Sequence, residues 1–208
     1  MIGNFWLHPS LILILGALAL PLLPKMAKKP WLILIPLVTF LDVLSMQGHD
    51  GTFGTTRFLN WTLTFGRVDS LSMVFAYIMT LMCVIGTIYG LHVEEDAQHV
   101  AAWFYVAGSI GVIFCGDYLV LLLFWEVMAF SSVFLVWFRR RKESLSVGYR
   151  YILVHTAGGL LLLAGFVLRY KATGDLSFGP VGVGNPTLDT YLIMAGFILN
   201  AAVPPLHA

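Results

Sequence analysis

One glutamate stands alone in an unbroken oily stretch. The run YLVLLLFWEVMAFSSVFLVWF, residues 118–138, contains no charged residue besides Glu126. Glu126 lies eight residues in from Tyr118, about 12 Å along a helix. That is near the middle of a hydrocarbon layer about 30 Å thick. An ionised carboxylate at that depth costs at least about 2.5–3.5 kcal/mol on insertion scales. It is kept only where it faces a protein interior, water or a partner. The chemistry such an acid offers is proton binding and release, the step a transmembrane relay needs. The plainer reading is a protonated or hydrogen-bonded glutamate that locks helix packing.

Three further residues join it as candidates for a proton path. His155 sits in YILVHTAGG, and histidine titrates near neutral pH. It is four residues past Tyr151, where the apolar run begins, so about 6 Å deep and roughly 12 Å below Glu126. Bridging water would have to link the two. A histidine hydrogen-bonded to a neighbouring helix is the equal alternative. Asn200 lies twelve residues in from Leu188, about 18 Å from the outer side and within about 6 Å of the height of Glu126. It opens the segment NAAVPPLHA, in which Pro204-Pro205 removes two backbone donors and precedes His207. Broken helices at membrane depth line cavities and recur at ion sites. A simple helix stop is the bland reading. Ser131 and Ser132 follow Glu126 and fit either a water chain or helix packing. Asp42 reads as an interfacial residue near the outer end of its helix.

No metal or cofactor site is expected. The sequence lacks HExxH, CxxC and GxxxxGK[ST] patterns. His8, His49, His92 and His99 are scattered without ligand spacing, and Cys83 and Cys115 read as buried apolar residues.

The elements that must hold these groups follow from composition. Of 208 residues, 59% are hydrophobic and 11% charged, against about 25% charged in a soluble domain. Seven apolar segments run over roughly 9–24, 31–46, 71–91, 100–116, 118–138, 151–170 and 188–206. They are continuously apolar rather than alternating, so helices satisfy the backbone within the bilayer. The fold class is all-α: a polytopic transmembrane bundle of about seven helices, with helix 7 broken near its end. Residues 1–99 form an N-terminal three-helix membrane region with an outer loop over 47–69, where WTLTF suggests a strand or hairpin. Lys25, Lys28, Lys29, Arg139, Arg140, Arg141, Lys142 and Arg150 fall on one side, and Arg57, Arg67, Arg169 and Lys171 on the other. The first side is therefore cytoplasmic and the N-terminus outside. The net charge of +1 offers nothing for nucleic acid.

The run GDYLVLLLFWEVMAFSSVFLVWFRRR, 116–141, resembles the hallmark helix of antiporter-like membrane subunits. These include the proton-pumping subunits of respiratory complex I and Mrp-type cation/proton antiporters. GRVDSLSMVFAYIM, HVEEDAQH, YRYILVHTAGGLLLL, ATGDLSF and NAAVPPLHA extend the likeness, which is closest to the D-type Mrp protein and its membrane-bound hydrogenase counterparts. The resemblance implies an essential proton-transferring glutamate at Glu126. It implies that 100–208 begins the proton-translocating module, helices 4–7. The family runs to about fourteen helices and continues past this point with WLPDA, so an N-terminal portion is expected. The family places a lysine seven residues before the histidine of PLH. Here that residue is Asn200, which cannot carry a proton.

The expected function is that of a proton-translocating subunit without its own redox centre. It would work in a bacterial or archaeal plasma membrane, within a cation/proton antiporter or a complex I-like or hydrogenase-like assembly. Its partners would be other membrane subunits, lipid, protons and Na+. The alternative is a structural subunit or an inactive fragment. A membrane-embedded enzyme acting on a lipid is a third reading, with no nucleophile motif behind it.

Overall fold

The computed structural model describes residues 6–59, 61–179, 185–201 and 203. Among these, seven α-helices run in the order α1 Pro9–Ala19, α2 Lys25–Ser45, α3 Ser70–Tyr89, α4 Asp96–Phe114, α5 Tyr118–Trp137, α6 Lys142–Thr173 and α7 Leu188–Asn200. One antiparallel hairpin, β1 Gly51–Phe58 and β2 Trp61–Val68, lies between α2 and α3. Its register runs from Gly51 opposite Val68 to Phe58 opposite Trp61. The hairpin thus fills the polar connection over 47–69 in which WTLTF reads as a strand.

Four helices, α3 to α6, are long and apolar enough to cross a membrane. Their outward faces carry Phe75, Ile78, Met82, Leu153 and Leu160, all about half exposed or more. Apolar surface on that scale is stable against lipid rather than water. The chain is a membrane-embedded helical bundle.

Two packed clusters organise it. One joins α1 to α4 through Leu13, Ala17, Val43, Trp103, Ala107 and Phe114. The other joins β2 and α5 to α7 through Leu63, Val120, Leu162, Phe166 and Ile193. Helix α4 packs on α1 and on α5, and α6 packs on both α5 and α7. Small residues permit the close approaches, as expected where lipid gives helices no hydrophobic reason to associate. At Gly108 an added Cβ would lie 2.9 Å from the Met128 backbone nitrogen of α5. At Gly196 it would lie 2.9 Å from the Gly158 carbonyl of α6.

Several element ends differ from the apolar runs. Helix α6 starts at Lys142 rather than 151: KESLSVGYR is helical without being apolar and buries Ser144 and Gly148, the latter against Trp137 of α5. Helix α1 gives way to a 3-10 turn over Leu20–Leu22, where Pro21 and Pro24 end the regular hydrogen bonding. Helix α2 runs through Pro30 and Pro36. Helix α7 ends at Asn200 with Ala201 as its C-cap. Pro204, Pro205 and His207 lie outside the described residues, and so does the expected break.

The ends of α3 and α5 are fixed by acid caps. Asp69 accepts from Ser72 N at 2.8 Å while its own N–H donates to Ser72 Oγ at 2.8 Å, a closed capping box. Asp117 accepts from Leu119 N at 3.0 Å and Val120 N at 2.8 Å, and from Thr64 N of β2 at 2.6 Å. That carboxylate ties the hairpin to the start of the helix that carries Glu126.

Candidate functional site

Glu126 is the ninth residue of α5. Asp117 anchors the N-terminus of that helix and Gly108 draws α4 against its flank, so its position is well determined. One carboxyl oxygen lies directly on Gly159 of α6, where an added Cβ would collide with it. The neighbouring Gly158 seats the Asn200 amide in the same way. Two consecutive glycines of α6 therefore bring the Glu126 carboxyl and the Asn200 side chain to one level.

His155 is closer to Glu126 than helix-end counting suggests. It precedes Gly159 by four residues, about 6 Å or one turn of α6. Counting depth from residue 151 separates the two by about 12 Å. The helix in fact begins at Lys142, and the contact at Gly159 is made by the reaching carboxyl group rather than by its backbone.

A polar file runs along α6 on this level and below it. The Asn200 amide, oriented by its neighbours, donates from its nitrogen to His155 Nδ1 and to the His155 carbonyl, each at 3.2 Å. Its oxygen accepts from Trp125 Nε1 at 3.2 Å. One side chain thus ties α5, α6 and α7 together. The Tyr151 ring lies 4.3 Å from the His155 ring, centre to centre. The Tyr151 hydroxyl shares a hydrogen bond with Ser132 Oγ of α5 at 2.7 Å. Ser131, the other hydroxyl in the run, bonds back to the Val127 carbonyl of its own helix.

On the α4 side, Glu126 lines a cavity of about 900 Å³. Val100, Phe104, Leu123, Phe130 and Ser131 form its walls, and it reaches Asp96 at the start of α4. Asp96 is paired with Lys28 of α2, and Glu95 with Arg140 at 2.5 Å. These pairs gather three of the basic-side connections at one end of the bundle. At the other end Arg169 of α6 meets Asp189 of α7 at 3.7 Å.

Of the four expected path residues, Glu126, His155 and Asn200 converge on α6, and His207 lies outside the described residues. Sequence reasoning does not reach Trp125, Tyr151 or the Gly158–Gly159 pair. A glycine pair inside a helical run signals close approach, but its partner is not written in the local sequence. No group of three or more His, Cys, Asp or Glu side chains is placed to hold a metal among the described residues.

Comparison with known proteins gives a consistent setting. Residues 115–208 match the family described as NADH:quinone oxidoreductase/Mrp antiporter, TM. Over 188 residues the chain is 30% identical to the Na(+)/H(+) antiporter subunit A1 of Staphylococcus haemolyticus, covering 82% of this chain and 23% of that protein. The chain therefore spans less than a quarter of that relative's length. The fold is similar to one in respiratory complex I from Thermus thermophilus with bound aureothin. There the TM-score is 0.76 and identity 22%, over 96% of this chain and 45% of that one. It is equally similar to the Mrp complex from Dietzia sp. DQ12-45-1b, with TM-score 0.76 and 18% identity over 96% and 42%. The sequence relative is a subunit A1, so the likeness extends to antiporter-like subunits in general and not to the D-type protein in particular.

Proposed function

We propose that this chain, whose residues 115–208 match the NADH:quinone oxidoreductase/Mrp antiporter transmembrane family, moves protons across the membrane as part of a multi-subunit assembly. Glu126 is the group that takes up and releases the proton. His155, one turn along α6, exchanges it towards the basic, cytoplasmic side. Tyr151 and Ser132 continue the file in that direction. The cavity beside Glu126 gives the carboxyl a second approach from the α4 side.

The observation that carries this reading is the Glu126 carboxyl seated on Gly159 one turn from His155. An acid kept at that depth, beside a titratable partner and a cavity, suits proton exchange better than static packing. The orientation, with the N-terminus outside, rests on the eight Lys and Arg residues of one side against four on the other. The partners are other membrane subunits, and Na+ is the counter-ion of exchange, by analogy with the relative's name.

The test is Glu126→Gln in the assembled complex, with cation-driven proton movement followed in everted vesicles. Loss of transport with normal assembly is expected. Wild-type transport refutes the role. A second reading, a structural subunit, is favoured by Asn200, whose uncharged amide ties three helices at the position where the resemblance implies a lysine. It expects Glu126→Gln to alter assembly alone.

A further inference from the structure

Asn200 stands between partners whose hydrogen-bonding sense is fixed. The Trp125 indole N–H only donates and a backbone carbonyl only accepts. Each lies 3.2 Å from the Asn200 amide, Trp125 on one side and the His155 carbonyl on the other. Together they set the amide: Oδ1 faces α5 and Nδ2 faces α6. The same Nδ2 lies 3.2 Å from His155 Nδ1. An amide nitrogen offers two protons and accepts none. With one proton on the His155 carbonyl, the other meets Nδ1, which must then be bare. A neutral imidazole carries one N–H, so that of His155 is on Nε2.

We propose that Asn200 is a positioning residue that fixes the Nε2–H tautomer of His155 and holds the ring neutral by turning an N–H donor toward Nδ1. A second ring proton would set two donors face to face. Loading His155 with a proton therefore requires the Asn200 amide to withdraw. That amide is carried by the last residue of α7 and seated on Gly158, where no side chain intervenes. Among the described residues, the titratable groups near the ring are Tyr151, on the same helix, and Glu126, whose carboxyl reaches α6 one turn away at Gly159. The Asn200 side chain thus gates a proton step without carrying the proton. The functional weight of this gate rests on the proton-path reading of His155, whereas the tautomer itself does not.

The experiment is 15N NMR of the full chain, histidine-labelled, in lipid bilayers above neutral pH. The His155 signals are assigned by their loss in His155→Gln. The wild type should show one tautomer, with Nδ1 unprotonated and Nε2 protonated. Asn200→Asp replaces the facing donor by an acceptor and should move the proton to Nδ1. Asn200→Leu should give a mixture of tautomers. His8 reports folding in every variant, because its Nδ1 accepts from Ser10 N at 3.1 Å and its Nε2 faces the Phe65 carbonyl at 3.1 Å. A wild type with Nδ1 protonated, or an Asn200→Leu spectrum still showing the single wild-type tautomer, overturns the proposal. Transport by the same variants is a separate reading. If Glu126→Gln proves harmless while the tautomer responds as stated, the proton-path role fails and the positioning role stands.

Discussion

Gly159→Ala is the smallest change that reaches the Glu126 carboxyl. The new methyl would overlap Oε1 and lie 3.3 Å from the carboxyl carbon. Two effects oppose each other. Replacing glycine by alanine inside a helix gains about 0.5–1 kcal/mol. Overpacking costs about 1–3 kcal/mol, and least where the struck group is the end of a flexible side chain. The net loss of stability is then at most about 2.5 kcal/mol, or roughly 5–10 °C in melting temperature for a chain of this size. Transport responds differently, because the carboxyl must swing away from its place by about an ångström. A displacement of that size is worth roughly 100-fold in a positioned reaction. At least a tenfold loss in vesicle proton transport is expected, with a melting temperature lowered by no more than that bound. Gly86→Ala is the control, since an added Cβ there meets nothing within 4 Å. It should stabilise slightly and transport normally. If Gly159→Ala transports at the wild-type rate, the carboxyl's seat on α6 is irrelevant to function and the reasoning fails.

Two further outcomes follow from the end of the bundle that carries the hairpin. Asp69→Ala should destabilise by about 1 kcal/mol through loss of the α3 cap. The Ser72 N–H bond holds the Asp69 carboxyl below the usual carboxylate range, so its contribution is present above the unfolded value and lost as pH falls through the folded one. Melting curves of wild type and variant should converge in acid. His8 is buried, and that burial pulls its ring down to about 4 against the opposing bond to the Phe65 carbonyl. Above pH 6.5 the ring is neutral in both states and contributes no pH dependence. Between 6.5 and about 4 the unfolded chain alone gains the proton, so stability falls by an amount on the order of 3 kcal/mol. His8→Gln should flatten that slope in denaturation measured across this window.

Much of the architecture was legible because lipid imposes a simple rule. The continuous apolar runs over 71–91, 100–116 and 118–138 lie on α3, α4 and α5 to within a few residues. The start of α6 was not legible from hydropathy, since residues 142–150 are helical but polar. Glu126 announced itself by its cost. The contact that gives it a partner did not, because Gly159 lies 33 positions further on and a glycine carries no chemical label. Trp125 was hidden for a similar reason: among aromatic neighbours its indole N–H reads as packing until Asn200 is placed against it. Helix periodicity says which face a residue occupies. It is silent on which distant helix faces it.

The central claim is that the Glu126 carboxyl gains and loses a proton in the working membrane. Infrared difference spectroscopy of the bilayer-embedded chain, recorded as pH is cycled, reads this directly. A protonated-carboxyl band should appear and disappear reversibly in the wild type and be missing in Glu126→Gln. A Glu126 band that stays constant throughout the cycle would contradict the claim.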